Sequence, residues 1–146
     1  MFTEGNIITL IHFFKNGATA KHKYFLVLKN VGDHTILASL PSSVVHLPGF
    51  ADKIHGCIDM PDSCISCYVF QQKIPVTKCG WYFDLDTFLY GNWLDDYDVR
   101  ALQETYRIEG IEYEIIGQLT DAELENVRKC FRNSSVVKRR YKKLLA

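Results

Sequence analysis

The sequence predicts a mainly β fold of the α+β class: a small β-barrel of short strands with one C-terminal helix. Three observations carry this. Apolar stretches rich in Val, Ile, Tyr and Phe end one after another at polar turns. Asn, Gly, Asp and Pro gather between them, and an Asn-Gly pair supplies the positive φ a tight hairpin needs. One late segment alone repeats its apolar residues at steps of three and four.

Residues 7–14 form the first predicted strand, running into Lys15-Asn16-Gly17. Residues 24–28 end at Asn30-Val31-Gly32-Asp33, and residues 35–40 end at Pro41-Ser42-Ser43. Residues 44–62 mix Pro, Gly, Asp and His and predict a loop with at most one short element. Strand pieces follow at 65–71 and 73–77, then aromatic strands at 81–83 and 87–90. Residues 91–98 read as an acidic turn. Residues 99–106 stay open between a helix, with Val99, Leu102 and Tyr106 on one face, and a short strand. Alternation over 112–116 predicts another strand.

The helix is the clearest local feature. Thr120-Asp121-Ala122-Glu123 has the spacing of a capping box, with Glu123 reaching back to the Thr120 N-cap. Leu124, Val127 and Phe131 then share one face, and acids precede bases along the segment. The predicted stop is Asn133-Ser134.

The chain has 146 residues, 47% hydrophobic and 23% charged. These values suit one domain over 1–146, with a basic tail at 138–146. No apolar run approaches the roughly 18 residues of a membrane span, and no signal-like start is visible, so no membrane partner is expected. Five cysteines, an odd count without secretory context, predict reduced thiols and a cytoplasmic location.

Formal neutrality hides a strong asymmetry. Residues 1–83 carry seven Lys/Arg against five Asp/Glu, 84–125 two against twelve, and 126–146 eight against none. The last block could bind phosphates, fold back on the acidic middle, or remain a solvated face.

Several polar groups sit at predicted strand ends and turns, a common place for binding chemistry: Lys21, His22, Lys23, Ser42 and Ser43. Their bland readings are an edge-strand lysine that discourages aggregation and ordinary turn chemistry after Pro41. His55, Cys57, Cys64 and Cys67 could ligate zinc, with Cys79 as a substitute. Extended positions three apart face opposite sides, however, so buried apolar thiols are expected and no metal site is assigned. Asp84, Asp86, Asp95, Asp96 and Asp98 lack the spacing of a calcium loop. Trp81, Tyr82, Phe83, Phe88, Tyr90 and Trp93 could stack bases, although core or a dimer interface explains them more simply.

Five blocks stand in a suggestive order: Gly5-Asn6-Ile7-Ile8, Lys23-Tyr24-Phe25-Leu26-Val27-Leu28, residues 36–43, Asp98-Val99-Arg100-Ala101-Leu102, and residues 116–124. Together they resemble the PemK/MazF-type toxins of bacterial toxin–antitoxin systems. The blocks match, in turn, that family's early Gly-Asp strand, its Arg-Pro-x-Leu-Val-Leu strand, the strand ending in Thr or Ser, a Gln-Ile-Arg-Thr-like strand, and the closing strand-to-helix junction. The resemblance implies an SH3-like barrel and a sequence-selective endoribonuclease that needs no metal or other cofactor. It also implies an antitoxin partner and a homodimer. Lys23 and Ser42 or Ser43 would then be catalytic, with His22 as acid or base, and Lys15, Lys21 and Arg100 would contact RNA. Lys23 stands where the family has Arg, and a lysine lacks the planar fork that clamps a phosphate. A non-catalytic barrel that binds protein or nucleic acid is the competing reading.

Overall fold

A computed structural model describes residues 1–12, 21–40, 55–60, 62 and 65–146, without the side chains of His12, Lys21, His22 and Ile65. In chain order the elements are β1 (Asn6–His12), β2 (Lys21–Val31), β3 (His34–Leu40), β4 (Gly56–Met60), β5 (Ile65–Phe70), β6 (Thr87–Tyr90), β7 (Leu94–Asp98), α1 (Val99–Thr105), β8 (Tyr113–Gln118), α2 (Asp121–Arg132) and α3 (Arg139–Leu144). The fold is mainly β with helices added, as the sequence predicts.

The strands form two antiparallel sheets, one ordered β7-β3-β2-β1-β8 and one ordered β4-β5-β6. Gly32 turns the chain between β2 and β3 at φ +58°, a conformation that a Cβ would strain. Alternation along β2 then serves two cores. Leu26 and Leu28 face one that includes Tyr68, Phe70 and Leu89 of the small sheet, together with α2 and α3. Phe25 and Val27 face the other, with Phe2, Ile8, Leu10, Leu37 and Tyr106. The five-stranded sheet is thus apolar on both faces.

Helix α2 begins where its sequence says. Thr120 Oγ1 accepts a hydrogen bond from the Glu123 N–H at 3.2 Å, and Leu124, Val127, Cys130 and Phe131 are buried. Phe131 is wholly enclosed, and truncating such a ring to alanine costs about 3–5 kcal/mol. The reciprocal half of the capping box is absent: the Thr120 N–H donates to Val76 O, and the Glu123 carboxylate turns elsewhere.

Some expectations fail for identifiable reasons. Residues 73–77 and 81–83 form no strands: they are irregular segments linked by Lys73 N–H to Phe83 O and Val76 N–H to Trp81 O, with Thr77 in an isolated bridge to Leu119. Pro75 has no N–H to give a ladder, and Lys73 sits at φ +62°. The acidic stretch 91–98 is a 3-10 turn at Gly91–Trp93 followed by strand β7. Pairing with β3 overrides its turn-like composition. Residues 99–105 resolve as helix because Asp98 Oδ1 accepts the N–H groups of Arg100 and Ala101. The likeness of 98–102 to a Gln-Ile-Arg-Thr-like strand therefore fails. The Asn16-Gly17 turn and residues 44–54 lie outside the described residues; among the described residues of 55–62 the strand is β4.

Candidate functional site

Lys21, His22 and Lys23 open β2, paired with His12, Ile11 and Leu10 of β1. Lys23 is exposed. Strand β2 is the middle strand of five, so protection of a free sheet edge does not explain this lysine. The neighbouring residue, Tyr24, pairs with Leu40 at the end of β3. Ser42 and Ser43 follow Leu40 by two and three residues in sequence; they, like Lys15, lie outside the described residues.

Arg100 does not join this centre. It follows Asp98, which pairs with His34 at the opposite end of β3 from Leu40. A strand of that length spans about 20 Å. Arg100 is exposed in the first turn of α1.

A second constellation, which the sequence reading did not assemble, lies between the small sheet and α2. Glu123 Oε1 accepts hydrogen bonds from His55 Nε2 at 2.5 Å and from the Tyr68 hydroxyl at 2.8 Å. The Gln71 N–H donates to His55 Nδ1 at 3.0 Å, which leaves the imidazole proton on Nε2, facing the carboxylate. Burial raises the Tyr68 pKa, and the hydrogen bond and negative charge of Glu123 raise it further. Both His55 nitrogens are thus engaged, which fixes the ring between strand and helix. A cleft of about 370 Å³ opens here, lined by His55, Cys57, Tyr68, Asn126 and Lys129 among others.

At the wall of that cleft Cys57 on β4 is disulfide-bonded to Cys130 on α2, across 73 residues. The expectation of five reduced thiols is thereby overturned, and the inference of a reducing compartment loses its support. Period-based reading missed the pair because nothing local links a strand cysteine to a helix cysteine so distant in sequence. Cys67 is a buried free thiol whose pKa burial pushes up to about 11. Cys79 is free and exposed; the Thr77 hydroxyl beside it lowers its pKa. With Cys57 in a disulfide, the four-ligand zinc set cannot form while that bond holds, and no metal-binding cluster occurs among the described residues.

The aspartates disperse into structural duties. Asp86 accepts the Gln72 N–H, Asp95 accepts the Tyr141 hydroxyl, and Asp98 caps α1. Most of the aromatics pack: Phe70 stacks near Phe83 and Phe83 near Trp81, at centroid distances of 5.1 and 4.7 Å. Tyr82 and Trp93 stay exposed. A larger cleft of about 750 Å³ runs past Glu4, Asn30, Asp121, Glu125 and Arg128. Arg128 crosses it, bonding Glu4 Oε1 at 2.7 Å and the Leu28 carbonyl.

Known protein families, curated proteins and solved structures offer no match to this chain. No helix among the described residues is long and apolar enough to cross a membrane.

Proposed function

We propose that this chain is a toxin-like endoribonuclease with an SH3-like barrel, cleaving RNA at a centre built on Lys23 and the Ser42-Ser43 pair. The observation that carries the reading is an exposed lysine on the central strand of the sheet, at the end where β3 leads into those serines. In the reaction the ribose 2′-oxygen bonds to the adjacent phosphorus and the bond to the 5′-oxygen breaks. The products are a 2′,3′-cyclic phosphate and a 5′-hydroxyl. A base must take the 2′-hydroxyl proton and an acid must protonate the leaving oxygen. His22 is the candidate for one of these steps. Lys23 would stabilise the charge on the phosphorane, a contribution of about 10²–10³ in rate for a well-placed donor.

RNA is the substrate and an acidic antitoxin the regulatory partner, with a homodimer as the assembly that the reading carries. Cellular RNA would place the enzyme in the cytoplasm, where thiol buffers oppose the Cys57–Cys130 bond. Lysine in place of the family arginine favours the second reading, a binding module on the same scaffold.

Chelator-treated protein incubated with mixed-sequence RNA, with fragment ends mapped, tests the proposal. Discrete cuts ending in cyclic phosphate, lost in folded Lys23→Ala and Ser42→Ala, support it. Intact RNA in the presence of folded, partner-free protein moves the function to the binding module. Undiminished cutting by both variants removes the site assignment.

A further inference from the structure

We infer that the outward face of α3, together with the Trp93 turn packed against the residue before it, is a second binding surface, one for single-stranded nucleic acid. The basic end of the chain is not a loose tail. Tyr141 and Leu145 are each 1% exposed and belong to the first core. The Tyr141 hydroxyl donates to Asp95 Oδ1 at 3.1 Å, and Arg132 Nη1 donates to the Leu145 carbonyl at 2.9 Å. Anchoring these positions turns the basic ones outward: Lys138, Arg139, Arg140 and Lys143 are exposed, and Lys142 is half-buried.

What sets these cations apart is their density, five within six residues, with no carboxylate set against them among the described residues. Lys78, Arg128 and Arg132 each have a carboxylate within 4 Å, namely Asp121, Glu4 and Glu125. The five cations of residues 138–143 have none among the described residues. Arg140 alone is partly engaged: it lies over the Tyr141 ring at 4.7 Å and donates from Nη2 to the Tyr141 hydroxyl at 2.8 Å. Asp95, the nearby acid, is occupied by the Tyr141 hydroxyl, and Asp96 lies 4.0 Å from His34. A fixed array of unneutralised like charges repels itself and attracts a polyanion.

Trp93 indicates which polyanion. Gly91, two residues before it, packs so closely on Val137 that an added Cβ would sit 2.8 Å from Cγ2. Val137 immediately precedes Lys138, so the 3-10 turn that carries Trp93 packs at its Gly91 end against the residue leading into α3. Trp93 is 41% exposed, with its ring 5.1 Å from that of Tyr90. An exposed ring on the turn that packs against the start of a basic helix supplies the two elements of single-strand binding, base stacking and phosphate contact. A membrane fits less well, because the apolar residues of α3 are already spent on the core and cannot insert.

The surface is separate from Lys23. Lys23 alternates with Phe25 and Val27, on the face of the second core, whereas α3 covers the first. The inference takes from the proposed function only the choice of RNA as probe.

Fluorescence anisotropy with a labelled 2′-O-methyl oligonucleotide, which lacks the attacking hydroxyl, reads binding without cleavage. The full-length protein should bind, with log K falling as salt rises. The triple variant Lys138→Gln/Arg139→Gln/Lys143→Gln should lower the magnitude of that salt slope by about 2, from roughly 0.7 per lost contact on a single strand. Trp93→Ala should weaken binding about tenfold. Each variant keeps Tyr141 and Leu145, and a thermal melt checks its fold. Absence of binding by folded protein overturns the inference, as does a slope unchanged in the triple variant. Tighter association with anionic vesicles or an acidic peptide than with the oligonucleotide also overturns it. The two proposals fail separately: native protein that cuts no RNA but loses its salt slope in the triple variant keeps this surface and removes the endoribonuclease reading, whereas discrete cuts with a slope unchanged in the triple variant do the reverse.

Discussion

Glu123 and His55 are joined by a hydrogen bond from Nε2 to Oε1, and Tyr68 donates to the same oxygen. The carboxylate stands on the first turn of α2; His55 immediately precedes the edge strand β4, and Tyr68 belongs to the central strand β5 of the small sheet. With side chains only 21% and 14% exposed, His55 and Glu123 form a polar joint between the small sheet and α2.

Removal of Glu123 strands two donors at once. A buried donor left without its acceptor costs about 1–3 kcal/mol, whereas a single lost hydrogen bond costs about 1. Glu123→Ala should therefore destabilise the fold more than Tyr68→Phe does. Urea unfolding of both variants checks the order, and equal midpoints would mean that the joint contributes nothing beyond packing.

Cys57 and Cys130 reinforce the same junction by a covalent route. Closing a loop of 73 residues restricts the unfolded chain by about 4 kcal/mol in the chain-entropy model. Reduction should lower the guanidinium midpoint markedly yet leave a folded protein in water, since Leu124, Val127 and Phe131 still dock α2. Far-UV circular dichroism with and without dithiothreitol reads both effects.

Glu4 supplies an acid-side dependence whose sign can be worked out. Its partial burial acts to raise the pKa, but the Asn30 N–H, the Arg128 hydrogen bond and the nearby positive charges outweigh this, and the net shift is downward from 4.5. The folded state therefore holds this proton less tightly than the unfolded chain. The stabilisation is present above the unfolded value and is lost as pH falls through the lower folded one. Glu4→Gln should flatten the stability profile below about pH 4.5 and leave its shape near neutrality unchanged. Denaturant midpoints across pH 2–7 measure it, on the order of the range where carboxylates titrate.

Much of the fold was legible because it is written in local patterns. The first three strands, the Gly32 turn and the Thr120 cap each depend on residues a few positions apart. Strand β7 was not legible: Asp95 and Asp96 look like turn residues until β3 offers its edge for pairing. The same limit applies to the site. Lys23 stood out by its neighbours in sequence, whereas His55, Tyr68 and Glu123 meet only once sheet and helix are packed. Half of the capping box misled for that reason, because Glu123 has stronger partners across the interface than at its own helix start.

The contact between Gly91 and Val137 tests how firmly the C-terminal segment is held. Gly91 is buried, and a Cβ there would meet Val137 Cγ2 at 2.8 Å, well inside contact distance. Overpacking of this kind costs about 1–3 kcal/mol, and the flexible partner is a single valine methyl. Gly91→Ala should lower the melting temperature, and Val137→Ala should lower it through lost packing in the first core. The double variant should be more stable than the sum of the two losses predicts, because the methyl that clashes has gone. Additive losses would show that Gly91→Ala acts through the backbone of the 3-10 turn and not through the entrance to α3.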